Sequence, residues 1–249
     1  MKGTFFSKPL EFQILIEGES WRQGDAVSGT LTVKNHGAEP ITTQGVEVKF
    51  AYGKLKKVRE KQSDAFEVLK TVGFDKNQTI SQASSAVMNW RFETDRNAKV
   101  TDTLSSLFIV YGIGSECEKL GQLQLKFEPS ALVQEFLKIL QIRLRFVQKS
   151  MRATKGGVEV KLAPPDGKAF SNLELLAIHF QFEGENLEVN YKFEVKKLEA
   201  TAVSMTMKKE KQECSQVFTQ AQYLTPSGRF NDEALEQSIR EALALVARG

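Results

Sequence analysis

Two histidines and two cysteines are the residues of this sequence best suited to nucleophilic or acid–base chemistry, and they stand apart from one another. His36 falls in a turn, and His179 falls inside an apolar strand pattern. Catalysis by histidine needs a nucleophile or an acid within hydrogen-bonding reach, and neither histidine has such a pattern beside it. We interpret His179 as a hydrogen-bonded core residue and His36 as a turn residue, and we predict no catalytic site.

The cysteines, Cys117 and Cys214, have no second type of metal ligand near them. A zinc site needs closely spaced ligands, and a disulfide framework needs more cysteines. We therefore predict no metal, no cofactor and two free thiols, with one long-range disulfide as the alternative. Cys117 stands between acids in "SECEK", and nearby negative charge raises the pKa of a thiol and lowers its reactivity.

The run "YGIGSECEKLG" (111–121) is the closest approach to a glycine-rich phosphate loop. It lacks the third glycine at the required spacing and a Lys-Ser or Lys-Thr ending. We interpret its glycines as positions that allow a bulge or a tight exit from a buried strand.

The run "GKLKKVREK" (53–61) is the most basic part of the chain. We predict a solvated loop or a protected edge strand, in which an extended backbone would divide the cations between two faces. The alternative is contact with a phosphorylated partner or an anionic membrane. The candidate contact residues are Lys54, Lys56, Lys57, Arg59 and Lys61.

Composition places the chain among soluble globular proteins. It has 249 residues, of which 41% are hydrophobic and 26% are charged, with a formal net charge of +3. This size suits one large domain or two small ones. The charge excess is too small to indicate nucleic-acid binding. Because there is no secretion signal and no run of eighteen apolar residues, we expect a cytoplasmic protein and interpret the "NQT" at Asn77 as a chance match to a glycosylation acceptor.

Alternating apolar residues predict strands along most of the first half. One exception is the segment 61–75, "KQSDAFEVLKTVGFD", which fits either a short helical turn or an irregular crossing loop. The connectors between strands are rich in Asn, Asp and Gly, which favours an antiparallel arrangement. The predicted strands include residues 12–16, 27–33, 46–52, 88–92, 107–111 and 123–127.

The pattern changes to helical spacing in "EPSALVQEFLKILQ" (128–141), with Pro129 and Ser130 as start signals. A second run of alternation follows at residues 142–146, 158–162, 176–182, 187–195 and 203–207. The segment "FNDEALEQSIREALALVARG" then predicts an amphipathic helix with Asn231 as its N-cap. Its apolar stripe, which includes Val246, is expected to pack on its own domain, and the alternative is docking on a partner or a second copy.

These patterns predict an all-β protein with two tandem antiparallel β-sandwich domains. The predicted parts are an N-terminal β-sandwich (1–127), a helical connector (128–141), a C-terminal β-sandwich (142–228) and a C-terminal helix (229–249).

The early segment "WRQGDAVSGTLTVKN" (21–35) resembles the first strands of the arrestin-like superfamily, in which an aromatic residue precedes Gly-Asp and a branched residue. The helical connector after "LKFEPS" is most similar to the bacterial sporulation-control branch. The resemblance implies that Gly24 turns the chain between strands and that Gly29 allows a close approach within the sheet. Pro164 and Pro165 are not followed by the tyrosine of a ubiquitin-ligase-binding motif, and no residue is assigned to phosphate sensing.

The resemblance and the lack of reactive groups favour a non-enzymatic adaptor or regulatory protein. We expect it to bind protein partners through sheet edges, loops and the inter-domain groove. The alternative is a ligand-binding β-sandwich module that holds a sugar or a lipid between its domains. Formation of a homo-oligomer is left open.

Overall fold

The computed structural model of the protein describes residues 1–74, 78–167, 170–200 and 205–247. Asn77, Val203 and the side chain of Val246 lie outside the described residues. Contacts divide the chain into two compact units, Met1–Glu128 and Pro129–Gly249.

The first unit is a β-sandwich of two four-stranded antiparallel sheets. In spatial order, the first sheet contains β1 (Lys2–Ser7), β2 (Leu10–Ile16), β4 (Ala26–Asn35) and β9 (Ser85–Glu93). The second contains β11 (Gly121–Leu125), β10 (Ser105–Ile113), β6 (Val46–Lys54) and β7 (Phe66–Gly73). Two short pairs complete the unit: β3 (Trp21–Arg22) with β12 (Phe127–Glu128), and β5 (Ile41–Thr42) with β8 (Thr79–Ile80).

Period-two alternation builds the core of this sandwich. In β4, Val27, Leu31 and Val33 are fully buried, whereas Ser28, Thr30 and Thr32 on the other face are half-exposed. Strand β10 is buried on both faces: one face joins the main core, and the other packs Phe108 and Val110 into a smaller outer cluster. In these two strands, the buried positions therefore match the apolar positions of the sequence.

Within the segment 21–35, the chain turns a corner between β3 and β4. The Asp25 amide donates to the Arg22 carbonyl over 2.9 Å, and Gly24 has φ +91°. A positive φ at the third residue is what a type II turn requires. Trp21 stacks on Phe127, with ring centroids 6.4 Å apart. The implied architectural role of Gly24 agrees with this geometry.

The segment 61–75 was predicted as a helical turn or a crossing loop, and this prediction is wrong for most of its length. Residues Phe66–Gly73 form β7, an edge strand paired with β6. Its side chains are largely exposed, and an irregularity opposite Phe50 and Ala51 shifts its register. Hydrogen bonds to β6, rather than burial of one face, hold the strand in place.

The second unit contains α2 (Ala131–Lys138), a π-helical turn (Ile139–Arg143) and five antiparallel strands in sequential order. The strands are β13 (Val147–Thr154), β14 (Gly157–Ala163), β15 (Leu173–Glu183), β16 (Asn186–Ala200) and β17 (Met205–Phe218). The unit ends with α3 (Gln220–Tyr223) and α4 (Asp232–Ala247). A hairpin turn at Gly184, which has φ +60°, joins β15 to β16.

Helices contribute to the core of this unit. Phe136 of α2 makes edge-on contacts with Phe180 and Phe218, with centroids 5.1 and 5.8 Å away. In α4, Leu235 and Ile239 are fully buried. The strands of the second unit's described part thus form one five-stranded sheet, and helices rather than a further sheet of comparable size pack on its apolar face. The all-β prediction and both predicted helices are confirmed.

The prediction of a strand at 142–146 is wrong. Helical backbone continues to Arg143, where the Leu144 amide donates to the Ile139 carbonyl over 3.1 Å. Leu144 and Phe146 are buried, as the alternation indicated, but Ile142 is 68% exposed. The apolar residues are therefore placed by the end of a helix and not by a pleated strand.

Candidate functional site

The basic stretch of the first unit forms a short helix, α1 (Leu55–Arg59), directly after β6. The prediction of a loop or edge strand is therefore wrong for residues 55–59. After the C-cap residue Glu60, Lys61 adopts φ +53°, and its amide donates to the Val58 carbonyl. The Gln62 amide donates to the Lys57 carbonyl over 3.0 Å. These two bonds form a Schellman motif with a lysine where glycine is preferred.

Helix α1 is fixed to the outer face of the second sheet by its apolar side chains. Leu55 and Val58 are three residues apart and pack with Phe66 on the outer cluster around Phe108. Phe66 and Phe108 meet edge-on, with centroids 5.3 Å apart. Spacing of three residues brings two side chains to one helix face, so this face is used for packing.

The structure leaves most of the predicted contact residues in solvent. The side chains of Lys54, Lys56, Arg59 and Lys61 are exposed. Lys57 is half-buried and forms an ion pair with Asp64, whose hydrogen bond to Lys57 lowers the pKa of the carboxyl group. Four of the five predicted residues are therefore available to an anionic partner.

A cavity of about 680 Å³ opens between the edge strands of the two sheets, β1 and β11. Phe5, Tyr111 and Leu123 supply an apolar part of its lining, and Lys61 and Lys119 lie at its charged part. Gly3 and Gly121 are in close contact with the Tyr111 ring, since a Cβ at Gly121 would lie 2.6 Å from Tyr111 Cζ. The cavity is therefore amphipathic.

The surroundings of Tyr111 and Lys119 determine the charge of these two groups in the cavity lining. Burial raises the pKa of Tyr111, so its hydroxyl stays protonated at neutral pH. A hydrogen bond from Lys119 to Glu116 raises the pKa of the ammonium group. The cavity thus offers a neutral hydroxyl and two ammonium groups, and Glu118 adds one carboxylate to its lining.

Sequence reasoning missed this cavity because its lining comes from segments far apart in the chain. One available signal was the run 111–121, which we interpreted as a tight exit from a strand. Gly112 and Gly114 do adopt φ +144° and +122°, as that interpretation requires. The same run also contributes Tyr111, Lys119 and Gly121 to the cavity.

Each histidine has a hydrogen-bonding partner. His36 Nε2 lies 2.7 Å from Glu11 Oε2, and this bond lowers the pKa of Glu11. His179 Nε2 lies 2.8 Å from Thr154 Oγ1. His179 is half-buried on the face of β15 opposite the core residues Ile178 and Phe180, so its interpretation as a core residue is wrong. Desolvation still lowers the pKa of its imidazole.

Both cysteines are free thiols. Burial is the main reason why the pKa of Cys117 is raised, and the charge of Glu118 adds to the effect, while the nearby Lys49 opposes it. Within the described ranges, no three or more His, Cys, Asp or Glu side chains lie close enough together to hold a metal ion. Nor does any helix in this part of the chain have the length and hydrophobicity that a membrane crossing needs.

The antiparallel sandwich, the turn between β3 and β4 and the helix that follows the sandwich are consistent with an arrestin-like fold. The chain is similar to Spo0M, the sporulation control protein from Bacillus subtilis, with a TM-score of 0.65 and 13% sequence identity. The match covers 95% of this chain and 98% of Spo0M. At this identity the likeness shows the fold alone, and it confirms the predicted resemblance to the sporulation-control branch.

Two other solved structures have a much lower structural similarity to this chain. The match to a structure of the Pseudomonas fluorescens alkylpurine DNA glycosylase AlkC covers 48% of this chain and 30% of the AlkC chain, with 9% identity and a TM-score of 0.31. The match to the C-terminal domain of Wzt covers 52% of this chain and 79% of the Wzt domain, with 10% identity and a TM-score of 0.31. These scores are too low to carry an argument. The chain matches no protein-family model and no curated protein.

Proposed function

We propose that this protein is a non-enzymatic adaptor or regulator that binds a protein partner at the open side of its first unit. The observation that carries the proposal is the amphipathic cavity between edge strands β1 and β11. Edge strands present backbone donors and acceptors that an extended segment of another protein can pair with.

The lining of the cavity defines the kind of segment that fits. Phe5 and Leu123 offer apolar surface, and Lys61 and Lys119 offer positive charge in the same lining. A partner segment with an apolar side chain followed by an acidic one would complement both parts. Backbone pairing would supply affinity, and the two side-chain contacts would supply specificity.

The test is a pull-down from native lysate with the wild-type chain and with the double variant Lys61→Glu/Lys119→Glu. We expect the wild type to recover a stoichiometric protein partner and the double variant to recover at least tenfold less, because both ammonium groups of the cavity are reversed. The matched control is Lys149→Glu/Lys155→Glu, which makes the same change in net charge at exposed lysines of the second unit. Equal recovery by all three proteins would contradict the proposed site.

The cavity volume also favours a second candidate, a ligand-binding module for a sugar or a lipid. Small-molecule sites commonly enclose about 300–1,000 Å³, and this cavity falls in that range. A panel of sugars and lipids screened by thermal shift distinguishes the two. A ligand that raises the melting temperature of the wild type, in the absence of any recovered protein, would favour the module over the adaptor.

A further inference from the structure

Helix α1 and the residues after it form the most concentrated positive region of the first unit. Residues 54–64 contain five cations and two carboxylates, a local net charge of +3 that equals the formal net charge of the whole chain. One of the carboxylates, Asp64, is paired with Lys57. The packing of Leu55 and Val58 keeps the helix on the sheet, so the exposed cations all start from a fixed backbone.

An exposed leucine lies next to these charges. Leu104 has 74% of its surface exposed, and its carbonyl accepts a hydrogen bond of 2.8 Å from the Leu55 amide, the first residue of α1. Asp102 orders the loop, because its Oδ1 accepts hydrogen bonds from the amides of Leu104 and Ser105, both at 2.8 Å. The structure thus presents an apolar side chain from an ordered loop at the start of the basic helix.

We propose that α1 and Leu104 together form a surface that binds anionic phospholipid membranes. Lys54, Lys56 and Arg59 would lie against the headgroups, and the Leu104 side chain would enter the boundary between headgroups and acyl chains. Each cation near an anionic membrane adds about fivefold to binding, and one buried leucine side chain adds about tenfold. This surface adjoins the edge-strand cavity, whose lining includes Val58 of α1, but Lys54, Lys56, Arg59 and Leu104 are not part of that lining. The proposal does not depend on the function of the cavity.

A phosphorylated peptide could supply negative charge and an apolar side chain, but an apolar side chain of a peptide binds in a pocket or groove. Leu104 instead projects from its loop with 74% of its surface exposed, a shape suited to entering a fluid apolar layer. The interfacial region of a bilayer offers negative charge and an apolar layer side by side. The combination of charge and Leu104 therefore favours the bilayer.

The test measures sedimentation of the 249-residue chain with vesicles of phosphatidylcholine, with and without phosphatidylserine. We expect binding only to vesicles that contain phosphatidylserine, and weaker binding as salt is raised, because salt screens exposed charges. The variant Lys54→Glu/Lys56→Glu/Arg59→Glu should bind at least a hundredfold more weakly. The variant Leu104→Ser should bind about tenfold more weakly at unchanged charge.

Two controls match these variants. The triple variant Lys149→Glu/Lys155→Glu/Lys211→Glu makes the same change in net charge at exposed lysines of the second unit, and Leu245→Ser removes a leucine that is 59% exposed. Both should bind as the wild type does. Circular dichroism melting of every variant checks that each is folded, and the milder triple change to glutamine serves if charge reversal unfolds the chain.

Three results would overturn the proposal. The first is no binding to vesicles that contain phosphatidylserine. The second is equal loss of binding in the control triple variant, which would indicate a response to net charge. The third is unchanged vesicle binding by Leu104→Ser together with tight binding of a soluble phosphopeptide that is lost on reversal of Lys54, Lys56 and Arg59, which would assign the surface to phosphorylated partners.

Discussion

Gly29 lies in β4 between the neighbouring strands β2 and β9. A Cβ at this position would lie 2.0 Å from the Leu15 carbonyl oxygen and 2.8 Å from Trp90 Cζ2. The first of these atoms belongs to backbone that is held by the pairing of β2 with β4. The site therefore has no room for a side chain, which agrees with the close approach that the family resemblance implied for Gly29.

We expect Gly29→Ala to lower the free energy of unfolding by about 3 kcal/mol, because an extra methyl group forces the strands apart in a closely packed core. Urea unfolding, followed by tryptophan fluorescence, measures the change. The control is Gly73→Ala in β7, where a Cβ would meet its nearest atom at 3.7 Å and φ is not positive. A similar loss of stability in both variants would contradict the steric explanation.

The histidines show how local contacts decide the role of a side chain. His36 is bonded to Glu11, and Gln13 Nε2 donates to the same carboxylate over 2.5 Å. His179 is hydrogen-bonded to the uncharged hydroxyl group of Thr154. The Glu11 carboxylate and the Thr154 hydroxyl each lie 25 residues before the histidine that they contact, so no local sequence pattern could predict either contact.

At the scale of elements, α4 illustrates how an amphipathic helix is attached to a unit. Its apolar residues Leu235, Ile239 and Leu243 are buried by the chain's own residues. Arg143 of the π-helical turn bonds to Glu236 over 2.7 Å and to Asp232 over 3.1 Å. The N-cap is Asn231, whose Oδ1 accepts from the Ala234 amide over 3.2 Å. Packing within one chain, the favoured interpretation of the stripe, agrees with this burial.

Because α4 packs within its own chain, truncation of the Ile239 side chain should destabilise the protein equally at every protein concentration. We expect Ile239→Ala to cost about 3 kcal/mol, because it leaves a cavity under the middle of α4. Chemical unfolding at two protein concentrations that differ by a large factor measures both the loss and its independence of concentration.

The matched change is Leu245→Ala in the same helix, at a side chain that is 59% exposed. It should cost less than about 0.5 kcal/mol. A midpoint for the wild type that rises with protein concentration would instead indicate that α4 packs against a second copy.

At the scale of the whole molecule, each compact unit has a core of its own. All buried residues of the main core of the first unit lie between Leu10 and Phe127. The first unit is a complete two-sheet sandwich in which every long strand is paired within the unit. A hydrophobic core that is closed within one unit is the usual requirement for independent folding.

We therefore expect a fragment of residues 1–128 to fold by itself. It should show a β-type circular dichroism spectrum and a single cooperative transition on heating. The informative companion is a fragment of residues 1–100, which lacks β10 and β11 and so leaves β6 paired with β7 alone. Broad, non-cooperative melting of the 1–128 fragment would show that the first unit needs the second.

The main sandwich could be predicted from the sequence because burial and alternation coincide there. Val27, Leu31 and Val33 repeat at every second or fourth position, and the sheet buries that face. The helices could be predicted for the same reason, with a different period. Their start signals, Ser130 and Asn231, both form the expected side-chain bonds to the backbone.

The prediction was wrong for β7 and α1, because contacts with other segments, and not the local pattern of apolar residues, determine their structure. In β7, hydrogen bonds to a neighbouring strand dominate, and a register shift interrupts the alternation that would have revealed a strand. Helix α1 has five residues, too few to show a period, and it exists because Leu55 and Val58 can pack on the outer face of the sheet. That outer face is made by β6 and β10, which are distant in sequence.

The sequence by itself determined which faces are apolar, where the turns fall and that positive charge gathers at residues 54–61, because these depend on residues close together in the chain. Tertiary structure alone decided that β1 meets β11 around a cavity, that Lys61 and Lys119 line it together, and that Leu104 lies at the start of α1. Such juxtapositions join segments separated by dozens of residues. They arise when sheets pair and pack, which no local pattern specifies.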